Sequence, residues 1–293
     1  MNHRRNSYVG LLYILPWLAG FLVLQLVPLL NSFWYSFTDF QLLGEYRFVG
    51  FANYRKIFSA DPQFLQSLKV TFVYVLIAVP CKLGFALFIA VVLNRKLRGI
   101  NLFRTLYYMP SILGGSVGIA ALWKILFMKE GVVNRLLAVM GISPLDWLGD
   151  PRFALFTISL VTIWQFGSSM VLFLAGLKQI PGSLYEAARI DGSGRVRLFF
   201  QITLPMLSPI IFFNLIMQMV NAFQEFTAAF VITNGGPLRS TYLYGLMLYE
   251  QGFKFFRMGY ASALSWILFA IILFFTSLTF RSSGSWVHYG DAL

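Results

Sequence analysis

The sequence from residue 70 to residue 93, V-T-F-V-Y-V-L-I-A-V-P-C-K-L-G-F-A-L-F-I-A-V-V-L, indicates the class of fold. It contains one charged residue, Lys82, and it exceeds the roughly 20 apolar residues that a helix needs to cross a bilayer core. In lipid the backbone polar groups must be satisfied within the segment itself, and a helix does this. The run therefore predicts a transmembrane α-helix over Val70–Leu93.

Five further runs of this kind occur along the chain. They are Leu11–Leu30, Thr105–Met128, Phe153–Leu177, Pro209–Ile232 and Tyr260–Phe280. The first is too long for the apolar region of a signal peptide and no A-x-A-like site follows it, so we expect it to remain as an anchor. The sequence predicts an all-α polytopic membrane protein with six transmembrane helices.

The composition of the 293 residues supports this class, since 58% are hydrophobic and 12% are charged. Soluble domains have about 45–50% apolar and about 25% charged residues. So few charges cannot cover so much apolar surface in water, and such a chain is not disordered either. The single cysteine, Cys81, allows no internal disulfide, and His3 and His288 are too far apart to suggest a site.

The net charge of +12 favours cytoplasmic loops over nucleic-acid binding, because the basic residues lie in short blocks between apolar runs. With both termini inside, the inner segments carry 11 Lys and Arg residues and the outer segments carry 10. This bias is small, but the inner loops are shorter and more densely basic. It favours both termini in the cytoplasm.

The loop that follows the fourth run begins K-Q-I-P-G-S-L-Y-E-A-A-R-I-D-G-S-G-R-V-R-L-F-F-Q-I-T-L-P. Ser183 and Glu186 have the spacing of a capping box, which predicts a helix over Leu184–Ile190 with Ser183 as its N-cap. Asp191-Gly192 predicts a break, and a second helix can begin near Arg195. The loop should therefore consist of two short helices arranged as an L.

This loop resembles the EAA loop of binding-protein-dependent ABC importer permeases; we call residues 178–208 the EAA loop. The matching residues are Glu186-Ala187-Ala188, Asp191-Gly192, Phe199, Ile202, Leu204 and Pro205. Ser193 stands where the family usually has Ala. Four other segments resemble the carbohydrate-uptake branch of the maltose and glycerol-phosphate type: Phe48–Tyr54, Arg104–Pro110, Asn234–Pro237 and Met258–Ala263.

The resemblance, which extends over nearly the whole chain, implies a MetI-like permease core over residues 70–281, with five helices and the EAA loop. Residues 1–69 would add a tail, the first span and an outer loop, and residues 282–293 a short cytoplasmic tail. It implies that a set of loop residues couples the spans to an ATPase: Glu186, Ala187, Ala188, Asp191 and Gly192.

The resemblance also implies partners and a location. The partners are a second permease subunit that forms a heterodimer, a cytoplasmic ABC ATPase dimer, and an external sugar-binding protein. The location is the cytoplasmic membrane of a bacterium or archaeon, with both termini in the cytoplasm. The substrate would be a sugar, and an oligosaccharide or related polyol in particular.

The chain lacks sequence features of an ATPase or another enzyme. The motif G-x-x-x-x-G-K-[ST] is absent and the dipeptide Gly-Lys never occurs, so the sequence offers no P-loop for ATP phosphates. We expect a transporter subunit without a cofactor of its own, whose partner ATPase binds ATP-Mg.

Polar residues within the apolar runs are candidates for a substrate pathway, because such residues are costly in lipid and usually face a cavity or another helix. The fifth run has four at i, i+4, i+7 and i+11, and the fourth run adds three more. They are Asn214, Gln218, Asn221 and Glu225, with Trp164, Gln165 and Ser168. Sugar binding and helix–helix hydrogen bonding both use such side chains, and the sequence leaves both open.

Two lysines and one loop also need an explanation. Lys82 could pair with Glu225 or with the partner permease, and Lys124 could snorkel to the membrane surface. Gly131–Gly141 predicts a short amphipathic helix, which would lie at the membrane interface or contact an external partner.

Two other classes of function remain as alternatives. An ion-coupled secondary carrier for a polar solute should show matched repeats or a relay of buried carboxylates, and Glu225 is the one buried carboxylate available. A membrane enzyme should show catalytic side chains clustered at one membrane face, and the sequence offers none.

Overall fold

The computed structural model describes residues 7–41, 45–95 and 99–288, and these residues are almost entirely helical. Within these ranges the one β feature is an isolated antiparallel bridge between Thr38 and Phe48. The α-helices are α1 Ser7–Phe21, α2 Val27–Tyr35, α3 Ala52–Ala60, α4 Pro62–Leu93, α5 Ile100–Leu113, α6 Val117–Phe127, α7 Val132–Val139, α8 Pro151–Trp164, α9 Gly167–Gln179, α10 Gly182–Ile190, α11 Arg195–Leu198, α12 Leu204–Met206, α13 Ser208–Phe223, α14 Tyr244–Tyr249 and α15 Met258–Trp286. Short π-helical turns occupy Leu22–Leu26, Phe199–Thr203, Ala229–Thr233 and Glu250–Lys254.

The prediction of an all-α membrane protein is confirmed, but half of its spans are not straight. Three helical stretches are long and apolar enough to cross a bilayer: Leu12–Tyr35, Pro62–Leu93 and Met258–Trp286. Three bent pairs of helices raise the number to six if each pair counts as one span.

The third run, predicted as one helix over Thr105–Met128, is broken between α5 and α6. The axis of Ile100–Leu113 and the axis of Val117–Val139, which includes α7, differ by 102°. The break follows the dipeptide Gly114-Gly115, since glycine has a low helix propensity. Ser116 then caps α6, and its hydroxyl accepts a hydrogen bond from the Ile119 amide at 3.3 Å.

The fourth and fifth runs also depart from the predicted single helices. The fourth bends by 47° between α8 and α9, at Gln165 and Phe166. In the fifth, α13 ends at Phe223, and the chain passes through a non-helical segment before the π-helical turn Ala229–Thr233. Glu225 lies in this segment and is not part of α13.

The described chain divides into two compact units. One comprises residues 7–62 and 248–270; in it the Asn53 amide donates to the carbonyls of Ser36 and Thr38 at 2.9 and 2.8 Å. The other comprises residues 63–247 and 271–288; its fully buried side chains include Tyr74, Met170 and Phe173. The predicted division at residues 69 and 281 stays a prediction.

The predicted amphipathic helix is present as α7, and one side chain fixes it to the loop that follows. Asn134, which is 2% exposed, donates to the carbonyls of Lys129 and Leu145 at 2.9 and 2.8 Å. Its carbonyl oxygen accepts from the Leu145 amide at 3.1 Å and from the Trp147 indole at 2.9 Å. Val132, Leu136 and Val139 remain exposed.

Candidate functional site

The EAA loop has the two predicted helices and the predicted turn between them. Helix α10 ends in a Schellman motif, in which the Gly192 amide donates to the Arg189 carbonyl at 3.0 Å and the Ser193 amide to the Ala188 carbonyl at 2.9 Å. Gly192 has φ = +80°, which is in the left-handed region where a side chain is unfavourable. This turn explains why glycine occupies the position.

The predicted capping box is wrong. Helix α10 begins at Gly182, with Pro181 in the N-cap position and no side-chain hydrogen bond to the cap. Ser183 therefore lies inside the first turn and does not serve as the N-cap. The Glu186 carboxylate is not used within the loop as a cap and remains exposed.

The five predicted coupling residues form an accessible surface at the end of α10. Glu186, Ala187, Asp191 and Gly192 are exposed, and Ala188 is half-buried. Ile190 beside them is 87% exposed, although it is a large apolar side chain. These residues are therefore accessible to a partner, although a single exposed apolar side chain does not by itself mark an interface.

The loop is connected to the fifth span through continuous helical structure. From α11 the chain runs through the π-helical turn Phe199–Thr203 into α12, and then bends by 66° into α13. The Tyr185 hydroxyl lies 2.9 Å from the Thr203 hydroxyl and joins α10 to this segment. This hydrogen bond and the chain path are two connections between α10 and the start of α13.

A second feature lies where the breaks of the third, fourth and fifth spans meet. They enclose a cavity of about 50 Å³, which has room for a few water molecules and not for a sugar ring. Its lining residues come from all three breaks: Gly114, Gly115, Ala120, Val161, Thr162, Gln165, Glu225, Thr227 and Ala228. Non-helical backbone at membrane depth is tolerated where it is buried in protein or lines a water-filled cavity.

Hydrogen bonds hold the third and fourth breaks together. The Gln165 amide donates to the Gly114 carbonyl at 2.8 Å, and the Gln165 carbonyl accepts from the Ser111 hydroxyl at 3.0 Å. The Ser111 hydroxyl in turn accepts from the Ser168 amide at 2.9 Å. These bonds satisfy polar groups that the breaks would otherwise leave unpaired in the membrane.

Glu225 caps the short helical segment after the fifth-span break. Its carboxylate accepts a hydrogen bond from the Ala228 amide at 2.9 Å. The pairing of Glu225 with Lys82 that the sequence left open does not occur, since the two form no salt bridge in the described part of the chain. Lys82 is 7% exposed. Lys124 reaches the Val231 carbonyl at 3.4 Å.

The four residues of the predicted polar stripe in the fifth span lie in different environments. Asn214 is 1% exposed and donates to the Ile210 carbonyl of its own helix at 3.1 Å. Gln218 is buried and Asn221 is exposed, and neither amide bonds to another described residue. Glu225 lies beyond the end of the helix, so the expected four-residue stripe on one helix is wrong.

The residues predicted in the fourth span also separate, because the bend at Gln165 places them on two helices. Gln165 lines the cavity. Trp164 instead lines an apolar groove of about 570 Å³, together with side chains of α4 and α5. Ser168 lies in the first turn of α9 and is exposed.

Sequence reasoning missed several residues of the cavity. Thr162 and Thr227 line it, but neither forms a recognisable pattern within an apolar run. The Thr162 hydroxyl lies 2.6 Å from the hydroxyl of the buried Tyr74. Gly114-Gly115 did offer a signal, because paired glycines within a predicted span mark a probable interruption of the helix.

Comparisons with known proteins agree on one family. Residues 57–284 match the family described as binding-protein-dependent transport system inner membrane component. The chain is 48% identical over 289 residues to the probable ABC transporter permease protein YesP of Bacillus subtilis, covering 98% of this chain and 94% of that one. It is 34% identical over 275 residues to the trehalose/maltose transport system permease protein MalF of Thermococcus litoralis, covering 93% and 92%.

The fold is also similar to that of a solved transporter. A chain in the crystal structure of a bacterial alginate ABC transporter, in complex with an alginate pentasaccharide-bound periplasmic protein, matches with a TM-score of 0.79. The match covers 95% of each chain at 21% identity. At this identity the likeness shows the common fold.

Proposed function

This chain belongs to the family of binding-protein-dependent transport system inner membrane components, and from this premise we propose that it is a sugar-translocating permease subunit of an ABC importer. The relatives include permeases for trehalose and maltose, for lactose and for sn-glycerol-3-phosphate. An oligosaccharide is the substrate that this set of relatives favours.

The exposed end of α10 is the observation that carries this proposal. It combines Glu186, a carboxylate with no partner among the described residues, with an apolar side chain, Ile190, and a turn fixed by Gly192. We propose that Glu186, Ala187, Ala188, Asp191 and Gly192 seat against a separate ATPase subunit. That subunit binds ATP-Mg, and the chain from α10 to α13 passes its movement to the spans.

The substrate pathway is proposed to run past the converging helix breaks. A sugar that leaves water loses hydrogen bonds, and each unsatisfied hydroxyl costs on the order of 1–3 kcal/mol. Gln218, Asn221, Gln165, Glu225 and Thr162 offer polar groups along this part of the chain. The cavity itself is too small for a sugar, so the spans must separate before substrate enters, as alternating access requires.

The remaining partners follow from the same proposal. A second permease subunit completes the pathway as a heterodimer, an external sugar-binding protein delivers the substrate, and an ATPase dimer binds on the cytoplasmic side. The chain lies in the cytoplasmic membrane of a bacterium or archaeon with both termini inside. The EAA loop then projects into the cytoplasm, which agrees with the charge of the loops.

Reconstitution tests the proposal. The chain, its second permease and its ATPase are placed in vesicles, and uptake of labelled trehalose, maltose and longer oligosaccharides is measured with the binding protein outside. We expect uptake that requires ATP at the ATPase and that does not respond to collapse of ion gradients. Uptake by this chain alone, driven by a proton or sodium gradient, would show that it is a secondary carrier instead.

A further inference from the structure

A pocket of about 300 Å³ lies at the base of the EAA loop, and its lining has two chemical halves. The pocket is bordered by the ends of α4 and α9 and by the loop helices. Its polar side consists of Asn94, Tyr185, Arg189, Arg195 and Thr203. Its apolar side consists of Val91, Leu177, Leu198 and Phe199.

The two arginines bring positive charge that the described chain does not neutralise. Neither Arg189 nor Arg195 forms a salt bridge or a side-chain hydrogen bond with another described residue. The carboxylates nearest in sequence, Glu186 and Asp191, are exposed and do not line the pocket. Guanidinium groups bind phosphate through paired N–H donors, so the pocket is suited to a phosphate group.

The position of the pocket indicates where the phosphate comes from. Val91 lies in the last turn of the membrane-spanning α4, and Leu177 lies in the last turn of α9. In the proposed orientation, these helix ends mark the level where hydrocarbon gives way to headgroups. An apolar half beside a basic half matches an amphiphile, and basic pockets between transmembrane helices on the cytoplasmic side bind anionic headgroups.

We propose that this pocket binds the phosphate headgroup of an anionic phospholipid of the inner leaflet. The assignment to the inner leaflet rests on the proposed function, which sets the orientation of the EAA loop. Arg189 belongs to α10 and Arg195 to α11, on opposite sides of the turn at Gly192. A phosphate held by both arginines joins the two arms of the loop and fixes the angle at which α10 is presented.

The test measures lipid retention by the purified full-length chain in neutral detergent. Phosphatidylglycerol and phosphatidylcholine with identical acyl chains are added, and native mass spectrometry counts the bound lipid. We expect the wild type to prefer phosphatidylglycerol. Arg189→Gln and Arg195→Gln should each weaken this binding about fivefold, as expected for one basic residue near an anionic surface.

Arg197→Gln is the matched control. It makes the same change of charge on α11, the helix that carries Arg195, but Arg197 bonds to Gln201 at 2.9 Å and does not line the pocket. Its lipid preference should equal that of the wild type. Circular dichroism of all three variants verifies that the helices are retained.

Several outcomes would overturn the proposal. The first is equal retention of the two lipids, and the second is retention that Arg189→Gln and Arg195→Gln leave unchanged. The third is displacement of the lipid by inorganic phosphate as effectively as by phosphatidylglycerol, which would assign the site to a soluble anion. Because the assay requires neither substrate nor uptake, its failure is distinguishable from a failure of the proposed function.

Discussion

Gly192 and Gly194 lie in the same loop but have different backbone conformations. Gly192 has φ = +80°, whereas Gly194 has φ = −75° and ψ = 166°, an extended conformation open to any residue. An added Cβ would meet nothing within 4 Å at either position. A difference between substitutions at these two sites therefore reports backbone conformation and not crowding.

We predict that Gly192→Val abolishes uptake and association with the ATPase, because the left-handed conformation costs an L-residue about 1–2 kcal/mol and the turn would rearrange. Gly194→Val should leave both close to wild type. Uptake and co-purification of the ATPase are measured at equal abundance in the membrane. Full activity of Gly192→Val would show that this turn does not set the coupling geometry.

Asn214 and Asn221, which the sequence presents as equivalent members of one stripe, differ in burial. We predict that Asn221→Ala weakens substrate binding in the pathway by roughly 0.5–1.5 kcal/mol, since one neutral hydrogen bond is lost. Transport per molecule should fall, while binding of sugar to the external protein stays unchanged. Asn214→Ala removes a bond within α13 and should lower abundance instead. If both substitutions lowered abundance alone, the stripe would be a packing seam.

Glu225 acts as a cap in the structure, and this changes what its substitution should do. Glu225→Gln retains an oxygen that can accept from the Ala228 amide, so we predict largely intact uptake. Glu225→Ala removes the cap, which typically costs 0.5–2 kcal/mol, and uptake should fall. The uptake rates of the two variants distinguish a capping role of Glu225 from a requirement for its negative charge. A loss in Glu225→Gln equal to that in Glu225→Ala would mean that the negative charge itself is required.

At the level of helices, the fourth span depends on a close approach to the third. A Cβ added to Gly167 at the start of α9 would lie 2.5 Å from the Tyr107 carbonyl oxygen and 2.7 Å from the Tyr108 Cα. Both are backbone atoms of α5, so a side chain cannot simply turn away. The Ser111–Ser168 and Gln165–Gly114 hydrogen bonds depend on the same approach.

We predict that Gly167→Ala destabilises the protein by about 1–3 kcal/mol, as overpacking does, by forcing α5 and α9 apart. Gly118→Ala, which adds the same methyl group to α6 in open space, should be neutral. The midpoints of thermal unfolding in detergent are compared for the two variants and the wild type. Equal midpoints for Gly167→Ala and the wild type would contradict the close packing described for these helices.

Hydropathy was sufficient to predict the existence of the spans but not their breaks. An apolar run has the same composition whether its helix is straight or bent, and in the fourth run nothing local distinguishes Gln165 from a residue inside a helix. The turn in the loop was predictable because Asp191 and Gly192 end a helix through their own backbone conformation, which does not depend on distant residues. The capping box failed because the helix begins two residues earlier than predicted, at Gly182, and Glu225 was misplaced because α13 ends at Phe223.

For the whole molecule, the division of labour between subunits is testable. We predict that the purified chain neither binds nor hydrolyses ATP, because it has no P-loop. Equilibrium binding of a fluorescent ATP analogue and release of phosphate are the measurements, with the assembled complex as positive control. Saturable ATP binding by the isolated chain would overturn this division.

The cavity at the three helix breaks also bears on how such a protein evolves. The bond from Gln165 to the Gly114 carbonyl satisfies the main chain, while Val161, Thr162 and Thr227 share the same lining from separate segments. Substitutions at these three positions leave that bond in place, although a change at Thr162 also removes its hydroxyl contact with Tyr74. If the proposed substrate pathway runs here, single substitutions at these positions are a route by which such a permease changes its cargo.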